Sequence, residues 1–268
     1  MIIIGEKING AIPSVARAIE ARDADWIRDL ARRQSAAGAD FIDVCSSVVE
    51  NDTEVMKWLI DLVQEVCDNK ISLDSPNAKS LVETMQYCKK PGLINSVSLE
   101  GDKIDLVFPA IKGTDWECVA LLCDSSQIPD GIDDRIEIFE KIMKKAKEYE
   151  IDPSKLHIDP LVFSVGTKPD AFTNFAAVTR HVREAYPEIH ITSGLSNISF
   201  GIPSRKTMNQ TFLSLAIQAG MDSAIMDPTS RDMIGTMYAA EALMEIDEFC
   251  IEYCEAYSDD KFGVQKKS

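Results

Sequence analysis

The chain has 268 residues, too many for one small core and close to the roughly 250 of a single large α/β domain. Its 45% hydrophobic and 27% charged residues supply a sizeable core and exclude extensive disorder. With 44 acidic against 28 basic side chains the formal charge is -16, which excludes nucleic acid and anionic membranes as general partners unless a basic patch opposes it. The densest basic run, Lys144-Lys145-Ala146-Lys147, has Glu140 and Glu148 close by and reads as a solvated helix face.

In chain order, Ile2 to Ile4 is a short β-branched run closed by Gly5 and is expected as a strand buried on both faces, with Glu6 to Gly10 as a polar loop. From Asp23, a cap, the residues Trp26, Ile27, Leu30, Ala31 and Ala37 recur at helical spacing until Gly38. Phe41 to Cys45 reads as strand and Val55 to Val66 as helix, capped by Asp52 or Thr53. Ile71 to Asp74 is strand, Ala78 to Cys88 helix, Leu93 to Asn95 strand and Lys103 to Ile111 a weaker helix. The second half repeats the alternation with strands at Val119 to Cys123, Leu156 to Asp159, Ile189 to Thr192 and Ala224 to Met226. Its helices are expected at Arg135 to Tyr149, Ala171 to Ala185, Lys206 to Gln218 and Met233 to Ile246. Apolar strands without period-2 polarity, alternating with helices, imply parallel pairing with both faces covered.

Eight such units predict a single (β/α)8 TIM barrel over 1–257, followed by a polar, flexible tail over 258–268. The competing open sheet would be expected to carry a glycine-rich phosphate loop, and neither G-x-G-x-x-G nor G-x-x-x-x-G-K-[ST] follows any strand. The seven cysteines form no C-x-x-C pair, their number is odd and only three histidines accompany them, so no disulfide framework and no metal site is expected. Cys250 and Cys254 are placed on one helix face, and most thiols are expected buried in a reducing cytoplasm. The opening Met1-Ile2-Ile3-Ile4 turns charged at Glu6 and Lys7, too soon for a secretory leader, and no apolar run approaches the ~18 residues of a membrane helix. A cytoplasmic protein is the expectation.

In a barrel, polar residues at the carboxyl ends of strands converge on one mouth. Asp74, Asn95 and Asp159 meet that test, and all three could instead cap the following helices. Asp159 stands before Pro160, whose missing N–H makes ordinary capping less complete, and is the strongest single candidate. Asp43 lies inside its strand and needs a partner. Ser193-Gly194-Leu195-Ser196-Asn197-Ile198-Ser199-Phe200-Gly201 follows the seventh strand: its glycines admit close backbone approach and Asn197 offers both a donor and an acceptor. His157 is embedded in a strand and expected as a satisfied core residue; no G-x-S-x-G motif and no lysine at the end of a strand suggests covalent catalysis.

Five motifs, Gly5-Glu6-Lys7-Ile8-Asn9-Gly10, Leu73-Asp74-Ser75, Ile94-Asn95-Ser96, Ile158-Asp159-Pro160-Leu161 and Gly194 to Gly201, together resemble the methyltetrahydrofolate:corrinoid methyltransferases of the pterin-binding barrel group, in that family's order and spacing. The resemblance implies that tetrahydrofolate or 5-methyltetrahydrofolate binds in the mouth, with Asp74, Asn95, Asp159 and Asn197 as substrate-binding residues and Asn197, near N5, as the catalytic one. It implies a second reactant, cobalamin or another corrinoid carried by a separate corrinoid protein, since no Asp-x-His-x-x-Gly motif occurs in this chain, and it suggests a homodimer. Two departures stand out. Asp43 is followed by Val44-Cys45-Ser46 where related sequences more often carry an asparagine, and Asp227-Pro228-Thr229 stands where dihydropteroate synthases, the alternative enzymes of this fold, carry Ser-x-Arg. A non-catalytic folate-binding module would need the Asp74, Asn95 and Asp159 cluster but not Asn197.

Overall fold

The computed structural model describes every residue except 48–50, 126–128, 130 and 265–268. Its elements run β1 (Ile2–Asn9), α1 (Pro13–Glu20), α2 (Ala24–Ala36), β2 (Phe41–Cys45), α3 (Asp52–Val66), β3 (Lys70–Asp74), α4 (Ala78–Thr84), β4 (Leu93–Leu99) and α5 (Lys103–Ile111). They continue with β5 (Glu117–Asp124), α6 (Ile132–Glu148), β6 (Leu156–Asp159), α7 (Ala171–Ala185), β7 (His190–Ile191), α8 (Arg205–Ala219), β8 (Ser223–Met226), α9 (Arg231–Leu243) and α10 (Ile251–Ser258). No helix among the described residues is long and apolar enough to cross a membrane.

The strands pair in parallel in the order β7-β6-β5-β4-β3-β2-β1-β8, and the ring is completed where Gly194 bridges Ile225 and the Ile225 amide donates to the Ser193 carbonyl at 3.0 Å. The expected (β/α)8 barrel is therefore present. Strand side chains alternate between two destinations: Ile3, Ile42, Leu73 and Ile94 pack outward against the helices in the main core. Ile4, Phe41, Leu93 and Val119, contributed by strands alone, form a separate cluster inside the barrel. Beneath it His157 is fully buried, with Nδ1 3.0 Å from Ser223 Oγ and Nε2 3.0 Å from Glu117 Oε2, so it is the satisfied core residue expected.

Several expectations need correction. The first strand does not stop at Gly5 but continues through Asn9, because the β1–β2 register shifts between Gly5 and Ile8 and the Lys7 amide finds Gln34 Oε1 at 2.9 Å instead of a ladder partner. A Cβ at Gly5 would meet Gln34 Oε1 at 2.7 Å and displace the acceptor of the Lys7 amide. The helix α1, started by Pro13 and burying Val15, Ala18 and Ile19, was not anticipated. The cap of α3 is Asn51, which frees the Asp52 carboxylate for other partners. Strand β4 extends four residues past Asn95, to Leu99, so Asn95 lies within it and not at its end. The seventh strand is only His190–Ile191. Cys250 lies outside α10 in a left-handed conformation and does not share a helix face with Cys254.

The segment expected as a loose tail is folded back at least as far as Phe262. Arg231, opening α9, donates to Asp260 Oδ1 at 2.8 Å and to the Phe262 carbonyl at 2.9 Å. The Phe262 ring is buried beside Tyr238, Tyr253 and Tyr257, over Gly235, whose missing side chain leaves the space. Residues 265–268 of that tail lie outside the described residues.

Candidate active site

On the β2–β4 side of the mouth the register sets Cys45 beside Asp74 and Asp74 beside Asn95. Asp43, one turn of the pleat deeper, has the partners a buried carboxylate requires: Ser72 Oγ donates to its Oδ1 at 2.5 Å and Asn95 Nδ2 at 3.3 Å. Burial, and then the charge of Asp74, pushes the Asp43 carboxyl well above its usual range despite those donors. Burial likewise raises Asp74, to about 6. Two acids that resist ionisation side by side favour a ligand that brings N–H donors to them.

Asp52 ties the two neighbouring loops together, accepting from Ser46 Oγ and, at 2.8 Å, from Ser75 Oγ. Cys45, Asp52, Asp74, Ser75 and Asn77 line a cavity of about 360 Å³ between those loops. Burial, followed by the Asp74 charge, pushes the Cys45 thiol up to about 12, so it is a neutral, unreactive thiol here.

Across the mouth, Asp159 is buried and its Oδ1 accepts from the Leu161 amide at 2.8 Å; the Gly194 amide also donates to this carboxylate. Burial raises its pKa to about 6 against those two donors, with Arg135 pulling the other way. Gly194 opens the single-turn 3₁₀ helix Leu195–Ser199, and its carbonyl accepts from the Asn197 amide at 3.1 Å. The Asn197 side chain is exposed and folds over Gly194, where a Cβ would meet Asn197 Nδ2 at 3.0 Å. Arg205, opening α8, holds the turn from behind through Ser199 Oγ at 3.0 Å and the Ser196 carbonyl at 2.8 Å.

The extended β1 brings two charges that were read as loop residues. Lys7 Nζ lies 3.0 Å from Asp227 Oδ2 at the end of β8. Glu6 lines a second cavity, of about 410 Å³, with Leu195, Ser196, Arg205, Asn209, Met226 and Asp227. Burial, then Asp227, raises Glu6 to about 7, with Lys7 and Arg205 opposing.

All four residues singled out from the sequence thus stand at the carboxyl end of the barrel, in two groups. Asp74 and Asn95 are joined through Asp43; Asp159 and Asn197 are joined through Gly194. Glu6 stands between the groups in charge terms, acting on Asp43 on one side and feeling Asp227 and Arg205 on the other. The sequence reading quoted Glu6, Lys7 and Asp227 within motifs and Asp52 as a helix cap, but gave none of them, nor Arg205, a place in the site. The signal available for Glu6 and Lys7 was two charges directly following a buried apolar run.

A barrel whose mouth carries this ring of acids and amides is the architecture of enzymes that bind pterins, and the chain belongs to the pterin binding enzyme family, whose model it matches over residues 5–227. In particular, it is 48% identical to the methylcorrinoid:tetrahydrofolate methyltransferase of Eubacterium limosum, over 100% of each chain. Methionine synthase of Mycobacterium leprae is 31% identical over 84% of this chain, which spans 20% of that longer protein. Among solved structures, dihydropteroate synthase of Yersinia pestis with a pterine-sulfa conjugate superposes with a TM-score of 0.65 at 16% identity, covering 91% of this chain and 93% of that one. The dihydropteroate synthase of Xanthomonas albilineans superposes equally well, at 17% identity. At such identities these two structures establish the shared fold and nothing about the reaction.

Proposed function

We propose that the protein transfers a methyl group from a methylated corrinoid, carried by a separate protein, to N5 of tetrahydrofolate. The observation that carries this reading is the 48% identity across the full length of both chains to an enzyme named for that reaction. The arrangement of the mouth supports it. A pterin presents an amidine-like pair of N–H groups along one edge, which suits a buried carboxylate such as Asp159, and further donors and acceptors that suit Asp74 and Asn95. Asn197, exposed above Gly194, is the residue assigned to N5. As N5 takes the methyl group it becomes cationic, and an amide oxygen aimed at its N–H stabilises that charge more than it stabilises the ground state.

The corrinoid is a substrate on its own protein and docks over the carboxyl end of the barrel. The protein is assigned to the cytoplasm as a homodimer, with one pterin-binding barrel per chain. The dihydropteroate synthase alternative is not carried forward, since only the fold supports it. A folate-binding module without catalysis is separated by one experiment. Methylcobalamin and tetrahydrofolate are mixed anaerobically with the protein and the corrinoid spectrum is followed. Methylcobalamin is expected to be consumed as 5-methyltetrahydrofolate appears; no consumption above the uncatalysed rate, with folate still bound, would leave only the binding module.

A further inference from the structure

Methylation of tetrahydrofolate at N5 leaves a proton to be removed, and the mouth holds several carboxylates. The acids of the ring differ in what already engages them. Asp43 is closed in by Ser72 and Asn95, Asp74 is hydrogen-bonded to Cys45 and Asp43, Asp159 accepts from two backbone amides, and Asp227 is paired with Lys7 and accepts from the Thr229 amide and hydroxyl at 2.9 and 2.6 Å. Among the described residues no hydrogen bond holds the Glu6 carboxylate. It faces the cavity shared with Leu195 and Ser196, the same short turn that carries Asn197, so it borders the space next to the residue assigned to N5.

We propose that Glu6 is the proton acceptor of the transfer: it takes the N5 proton as the methyl group arrives and passes it to solvent through the cavity of about 410 Å³. This rests on the methyl-transfer reading. The N5 lone pair forms the new bond to the methyl carbon, and the carbon–cobalt bond breaks with its electron pair remaining on the metal of the corrinoid substrate. The one N5–H of the resulting ammonium then turns from the Asn197 oxygen and breaks, its pair returning to nitrogen and its proton going to a Glu6 oxygen. In the reverse direction the same carboxyl would supply the proton.

The groups that face Glu6 set its working range. Burial first and then Asp227, just after β8, disfavour its ionised form, whereas Lys7 from β1 and Arg205 from α8 favour it. The result, about 7, leaves the carboxyl divided between its two forms at neutral pH, where it can both take a proton and release it.

The test is the pH profile of methyl transfer from methylcobalamin to saturating tetrahydrofolate, for the wild-type protein, Glu6→Gln and Glu6→Asp. The wild-type rate is expected to rise with pH through an inflection near 7. Glu6→Gln is expected to lose that inflection and to run about 100-fold slower on the alkaline side, with tetrahydrofolate affinity by calorimetry within about threefold. Glu6→Asp should keep a pH-dependent rate with the inflection moved to lower pH, and it serves if the Gln variant does not fold. An inflection unchanged in Glu6→Gln, a Glu6→Asp profile superimposable on wild type, or loss of rate only in proportion to lost binding would overturn the proposal. A wild-type protein that binds tetrahydrofolate but consumes no methylcobalamin would instead overturn the methyl-transfer reading itself, and this role with it.

Discussion

Asn95 donates to Asp43 Oδ1 through its side-chain nitrogen, at 3.3 Å, which leaves its oxygen without a claim from that acid. The donor end of the amide is committed to a buried acid, and in the proposed complex the acceptor end is left for the pterin. Asp43→Asn keeps the shape but replaces an accepting oxygen with an amide that can turn its NH2 toward Asn95. Tetrahydrofolate binding should weaken about tenfold, or ~1.4 kcal/mol, while kcat at saturation stays within about twofold. Calorimetry alongside saturation kinetics separates the two; an unchanged affinity would show that Asn95 is oriented by something else.

Asn197→Ala addresses the opposite balance. Removing an amide that strengthens its contact only as N5 becomes cationic should cut kcat by about 100-fold and leave tetrahydrofolate affinity within a few-fold. Equal losses in rate and affinity would reduce Asn197 to a binding residue.

Asp159 is 7% exposed and its carboxyl is raised to about 6 in the folded protein, chiefly by burial. The sign of its effect on stability follows. Between the unfolded value near 4 and the folded value the native state binds the proton more tightly, so stability is gained as pH falls through 6 and is lost on the alkaline side. Asp159→Asn, uncharged throughout, should therefore melt higher than wild type at pH 7.5, by about 1 kcal/mol, with the advantage closing by about pH 4. It should also lose most of its affinity for tetrahydrofolate. Thermal unfolding across pH decides the first point; a wild type more stable than the variant at pH 7.5 would contradict it.

Alkylation should discriminate among the cysteines. Cys250 and Cys254 are exposed, whereas the Cys45 thiol is buried and pushed up to about 12, so brief iodoacetamide treatment at pH 7.5 should label the first two and spare Cys45. Peptide mapping reads the order directly, and early labelling of Cys45 would mean that its loop opens readily.

Phe262→Ala should cost about 3 kcal/mol, because it empties an aromatic pocket under Tyr238, Tyr253 and Tyr257. Arg231→Met, which unties the same segment, should lower the melting temperature with little change in folate affinity. A melting temperature unaffected by either change would mean that the carboxyl-terminal segment is not part of the cooperative unit.

Most of this architecture was legible because it is written in local patterns. Apolar runs such as Ile71 to Asp74 and Leu156 to Asp159 are strands for reasons internal to a few residues, and a polar residue near the carboxyl end of a parallel strand must stand at the barrel's mouth. That is why Asp74 and Asp159 could be picked out without the structure. What escaped depends on tertiary partners. Glu6 and Lys7 stay in a strand only because Gln34, on α2, supplies an acceptor for the Lys7 amide, and nothing between residues 5 and 10 encodes that. Asp52 looked like a cap because caps are local, yet its carboxylate serves Ser46 and Ser75 from two other loops. Helix α1 was missed because it is short and carries Arg17 and Glu20 among its few apolar residues.

Gly194 receives one function from each side: its amide holds the Asp159 carboxylate, and its bare α-carbon lies under the Asn197 side chain. A methyl group added there would press on Asn197, and any shift of Asn197 would be felt through a single peptide by Asp159. In the proposed reaction, grip at Asp159 and chemistry at Asn197 share one joint, which couples positions 159, 194 and 197. Under those proposed roles, a change in the ligand held at Asp159 re-sets Asn197 in the same step.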